Sequence, residues 1–224
     1  MARKIISLVL KFLIVLSVIV GVTIAIVESA TTMLYFTTQS NIWIALVCII
    51  ELVLYFCKKQ IKPWLYLVKL IFTVSITLTG VVFCGMLAPL LGNKAFDFSS
   101  VLLHVIVPVA SIADLFVTSY PAENKWWHCL LVTVPPLYYL VFAGIGYAAK
   151  WNFGKGVNYP YFFFDWGSPV GVFGFSKEFP YMGVIYYVLL LTLLVLGIGA
   201  LYTWLSSLIR KKTSKIKSGA DTNE

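Results

Sequence analysis

Charge is scarce in this chain. Only 12% of its 224 residues are Asp, Glu, Lys or Arg, against roughly 25% in a soluble domain. That shortage excludes an ordinary water-exposed globular surface. Histidine is scarcer still, at 2, and neither stands near a group of carboxylates, so no metal centre is expected. Cys48, Cys57, Cys84 and Cys129 fall in separate segments with no CxxC pair. They read as reduced, small packing residues rather than metal ligands. No internal repeat or low-complexity segment is visible, and nothing implies a cofactor.

Apolar length is what the chain has instead. Hydrophobic residues make up 60% of it, gathered in runs at about 5–27, 40–57, 63–89, 99–120, 127–149 and 180–209. Roughly 20 apolar residues carry a helix across the hydrocarbon layer. The runs therefore predict an all-α, polytopic integral membrane protein, a six-transmembrane-helix bundle filling residues 1–209. No room is left for a soluble domain. The first run is too long for the core of a signal peptide, and Glu28-Ser29-Ala30 makes a poor cleavage site, so it reads as a retained span. Pro63, Pro121 and Pro180 mark helix starts, where a missing N–H costs little.

The formal charge of +8 does not point to nucleic acid, because of where the cations lie. Arg3 and Lys4, then Lys58, Lys59 and Lys62, then Lys125, then Arg210 and the lysines after it all fall on one side of a six-span topology. The opposite loops hold only Lys94, Lys150, Lys155 and Lys177. The positive-inside rule then puts both termini in the cytoplasm of a multi-pass cell-membrane protein. Residues 210–224 read as a disordered, solvated basic tail that can touch anionic lipid. The long loop at about 150–179 is rich in aromatics and glycine. It suits either a lid over the outer end of the bundle or a belt at the lipid–water interface.

Polar residues inside the spans are arranged in stripes. Thr37, Asn41, Cys48 and Glu51 share one face of the second helix, and His104, Pro108, Ser111 and Asp114 one face of the fourth. Lys69, Thr73, Thr77, Gly80 and Cys84 line the third. Such faces turn toward other helices, because lipid would leave them unsatisfied. Lys11, Glu51, Lys69 and Asp114 each stand about seven residues, roughly 10 Å, from the cytoplasmic end of a helix. They predict a balanced structural ion cluster in the inner half. Glu51–Lys69 is the expected pair, testable by swapping the two charges. Pro108 cannot donate to the carbonyl of His104 and should bend the helix there.

Thr37 and His104 are the residues that suggest chemistry. Both begin helices on the outer side, at similar depth. A threonine hydroxyl is a weak nucleophile that needs a base, and histidine is the usual base near neutral pH. Asn41 or Ser40 could donate to an oxyanion. The alternative is a helix cap at Thr37 and an interior hydrogen-bonded histidine. No acid suited to orient the imidazole is evident, since Asp114 lies about 15 Å deeper.

Three motifs resemble the androgen-induced-gene family, which includes the androgen-dependent TFPI-regulating protein and a bacterial branch of Pr-six-Pr type membrane proteins. They are Tyr-Phe-Thr opening the second span, Leu-His-x-x-x-Pro in the fourth, and YPYFFFD before the sixth. The resemblance implies an intramembrane threonine hydrolase acting on fatty-acyl esters such as fatty acid esters of hydroxy fatty acids. Thr37 would be the nucleophile and His104 the base, with Thr38 as an alternate nucleophile. Membrane lipids and a lipid-ester substrate would be its partners. A small transporter or channel, or a non-catalytic lipid-binding scaffold, remains the competing expectation. The oligomeric state is not legible.

Overall fold

The computed structural model describes residues 2–92, 95–118 and 125–220, the last ten in main chain only. Lys94 and Pro121 lie outside the described residues. Six helices long and apolar enough to cross a membrane form the bundle: α1 Ala2–Glu28, α2 Phe36–Phe56, α3 Pro63–Leu91, α4 Phe98–Val117, α5 His128–Ala148 and α6 Val184–Ala220. No β-strand occurs among the described residues, only two isolated bridges in the loop before α6. The sixth helix begins at Val184, later than the apolar run suggested. The main chain of the basic tail continues this helix to Ala220, where composition alone suggested disorder. Its lysines and serines contain no proline to stop the turn.

α3 is the axis of the bundle and the most buried of the six. On one side it packs with α1, α2 and α4 around Ile14, Val18, Ile44, Ile76, Leu103 and Val107. On the other it packs with α5, α6 and the outer loop around Val74, Tyr139, Phe163, Phe164, Tyr187 and Val195. The bundle is thus two cores sharing one helix.

Both α3 and α4 carry one turn of π-helix. In α3 it spans Phe83–Leu87 and in α4 Leu102–Ile106. Proline explains the second turn. Pro108 has no N–H to give the His104 carbonyl, and the N–H of Val107 reaches back five residues to the Leu102 carbonyl. The released carbonyl faces α3 at Gly80, where a Cβ would stand 3.0 Å from it and 3.2 Å from the Pro108 ring. Glycine at that position lets the helices close. The bend read from the proline takes the form of a π-bulge, a feature frequent at functional sites.

The loop between α5 and α6 is part of the core. Phe153 is fully buried, Phe163 and Phe164 nearly so. Gly146 makes room for the Phe153 ring, which a Cβ there would approach to 2.6 Å. The Tyr35 hydroxyl donates to the Phe153 carbonyl at 2.8 Å. Exposed aromatics are Trp151 at the start of the loop and Phe173, Phe175, Phe179 and Tyr181 in its later part.

Asp97 caps the start of α4. Its carboxylate accepts from the Ser100 N–H at 2.8 Å and from the hydroxyls of Ser99 and Ser100. Burial pushes its carboxyl up, but these hydrogen bonds outweigh it and hold the group below its ordinary value. A depressed carboxylate adds stability above its unfolded pKa and loses it as pH falls through the folded value. Asp97→Ala should therefore cost about 1 kcal/mol at neutral pH. Thermal melts of the two proteins should differ at pH 7 and converge at acid pH. Equal melting at pH 7 would rule out the cap.

Candidate active site

Thr37 is the second residue of α2. The cap position is Tyr35, whose side chain makes no capping bond. The threonine hydroxyl is therefore not a helix cap. Its backbone N–H, one of the unpaired donors of a helix start, donates to the Tyr161 hydroxyl at 3.3 Å, and its Oγ1 lies 3.4 Å from the same oxygen. Tyr161 comes from the outer loop, where its ring stacks on Phe163 with centroids 5.0 Å apart. Burial pushes the Tyr161 phenol up to about 12, so it keeps its proton at neutral pH.

A cleft of about 650 Å³, counting its open mouth, starts at this pair. It runs between α3, α5 and α6 over Leu78, Val82, Leu140, Phe163 and Leu191, and Thr79 adds a hydroxyl to its wall. Its lining is largely apolar, as ligand sites commonly are. Thr37 and Tyr161 bring hydroxyls to the edge of this apolar space.

His104 occupies the π-turn of α4. Its Nδ1 is 3.0 Å from the Ser100 carbonyl. A carbonyl can only accept, so Nδ1 carries the hydrogen, and in the neutral imidazole that leaves the lone pair on Nε2. The ring stacks on Phe83 at 3.8 Å between centroids and 18° between planes. That contact ties the π-turn of α4 to the start of the π-turn in α3.

No hydrogen bond joins Thr37 to His104. What links their backbones is Asn41, whose Nδ2 donates to the Thr37 carbonyl at 2.8 Å and to the Leu103 carbonyl at 3.2 Å. Ser40 Oγ donates to the Thr37 carbonyl at 3.1 Å and lies 2.9 Å from Thr79 Oγ1. Both residues spend their donors on the main chain. They hold Thr37 in place and are not free to donate to an oxyanion. Asn41 Oδ1 is buried without a partner. Thr38 is buried and does not line the cleft. Tyr161 was missed at the level of sequence, since nothing in its spacing separates it from the other tyrosines.

The inner half holds a closed ring of charge. Lys11 lies 3.2 Å from Glu51 and 2.9 Å from Asp114, and Lys69 lies 2.8 Å from Glu51 and also contacts Asp114. All four side chains are almost wholly excluded from solvent. Ser7 donates to Asp114 at 2.6 Å. Each charge sits between two opposite ones, on four different helices. Among the described residues no three His, Cys, Asp or Glu side chains gather as metal ligands.

Set against family models, curated proteins and solved structures, the chain matches none.

The ring changes what a charge swap should do. Glu51→Lys with Lys69→Glu would put an ammonium beside Lys11 and a carboxylate beside Asp114. The pair swap should fail to rescue folding, while inverting all four charges should recover part of it. Removing one member, as in Lys69→Met, should cost about 3–5 kcal/mol. Yield of monodisperse protein in detergent reads the outcome. Rescue by the pair swap would show that Glu51 and Lys69 act as an isolated pair.

Proposed function

We propose that the chain is an intramembrane lipid-ester hydrolase, with Thr37 as nucleophile, His104 as general base and Tyr161 as oxyanion donor. The substrate class is fatty-acyl esters, among them fatty acid esters of hydroxy fatty acids, as the resemblance to the androgen-induced-gene family implies. The observation that carries this reading is the Thr37 hydroxyl beside a protonated phenol at the end of an apolar cleft.

In this mechanism the acyl chain lies in the cleft and the ester carbonyl reaches Thr37. His104 Nε2 takes the hydroxyl proton as Oγ1 attacks the carbonyl carbon. The tetrahedral oxyanion forms near Tyr161 and the positive end of the α2 dipole. The alkoxide leaves with the proton from His104, giving an acyl-threonine. Water, deprotonated by His104, then attacks that ester, the fatty acid leaves, and Thr37 regains its proton.

Proton transfer needs about 2.6–3.2 Å between the groups, or one water between them. Asn41 Oδ1, a buried acceptor beside both backbones, is a group such a water would satisfy. A transporter or channel would need a polar route past a charge ring whose members already satisfy one another.

The test is labelling of the purified protein with a fluorophosphonate. Wild type and Thr38→Ala should label, and Thr37→Ala and His104→Ala should not. Tyr161→Phe should keep the nucleophile but lower turnover of a long-chain ester by about 10²–10³-fold. Undiminished labelling of Thr37→Ala would remove Thr37 from the mechanism.

A further inference from the structure

A second cavity opens at the end of the bundle that carries the termini. It holds about 960 Å³, counting its mouth, and lies between α1, α2 and α4. Lys11, Glu51, Ser7 and Thr118 reach it from the charge ring, and Arg3, Lys4 and Tyr55 also line it.

The ring side has little left to offer a ligand. Lys11 Nζ is engaged by Ser7, Asp114 and Glu51. Thr118 Oγ1 donates to the Asp114 carbonyl at 2.7 Å, and Ser7 to the Asp114 carboxylate. Arg3 and Lys4 differ. Among the described residues no carboxylate lies within ion-pair distance of either. The Tyr55 hydroxyl has no hydrogen-bond partner there. Three cations line the space against one carboxylate, so its net charge favours an anion.

An apolar track lies close by. Tyr55 adjoins Phe56, whose ring is 6.5 Å from Phe12 on α1, and both phenylalanines are exposed on the bundle surface. By the positive-inside distribution this end meets the cytoplasmic leaflet. Basic pockets between helices on that side suit phosphorylated headgroups.

We propose that this vestibule binds a phosphate group, with Arg3, Lys4 and Tyr55 as its donors. The phosphate belongs to an anionic phospholipid whose chain follows Phe12 and Phe56, or comes free from solution. The site is independent of the hydrolase reading.

The full chain in detergent would be examined by native mass spectrometry with phosphatidylglycerol and phosphatidylcholine. Wild type should retain the anionic lipid about tenfold or more over the neutral one. Arg3→Gln with Lys4→Gln should lose that preference without a change in melting. Lys58→Gln with Lys59→Gln, which removes the same charge from outside the vestibule, should keep it. Titration with inorganic phosphate separates the sources. Saturable binding lost in the Arg3/Lys4 variant assigns the free anion, and its absence beside lipid retention assigns the headgroup. Equal loss of preference in both double variants, or none in wild type with no phosphate binding, would overturn the proposal.

Discussion

Four buried charges that satisfy one another set the geometry of this bundle. A carboxylate or ammonium alone at that depth would cost several kcal/mol, by at least some scales. Lys11, Glu51, Lys69 and Asp114 therefore have to arrive together, each from its own helix. Their meeting fixes the relative height of α1, α2, α3 and α4. From Lys69 to Gly80 is about 16 Å along α3, and from Asp114 to His104 about 15 Å along α4. That near-equality is why Gly80 meets the His104 carbonyl. Along α2, Glu51 and Asn41 are about 15 Å apart, which sets Asn41 against the Leu103 carbonyl. The inner ring thus determines which residues face one another in the outer half.

The outer half has a different character. Its neighbours are held by single hydrogen bonds and ring contacts rather than by charge. Thr37 faces the second core, where α3, α5, α6 and the loop leave an apolar cleft. His104 stands at the other side of the same backbone junction, on a π-turn that Pro108 makes necessary. In the proposed mechanism this junction would hold Thr37 and His104 near one another without a direct hydrogen bond between them.

Much of this architecture was legible in the residues. The apolar runs located the spans to within a few residues. Equal depth of the four charges signalled a cluster, and Pro108 marked the irregularity beside His104. Sequence could not show that the charges form a ring rather than a pair, because that depends on the lateral order of helices. Nor could it show that Ser40 and Asn41 turn their donors to the main chain. Tyr161 was hidden for a similar reason. It reaches Thr37 across 124 positions of sequence, from a loop whose composition suited an interfacial belt equally well. Burial of Phe153, Phe163 and Phe164 separates those two roles, and burial is a property of the folded chain.

The central claim is that the Thr37 hydroxyl accepts an acyl group. The most direct measurement is peptide mass mapping after acid quench of the protein with a long-chain p-nitrophenyl ester. The account predicts a single acyl group on the peptide containing Thr37, absent from Thr37→Ala. An adduct that persists in that variant, or folded wild type that never acquires one, would contradict it.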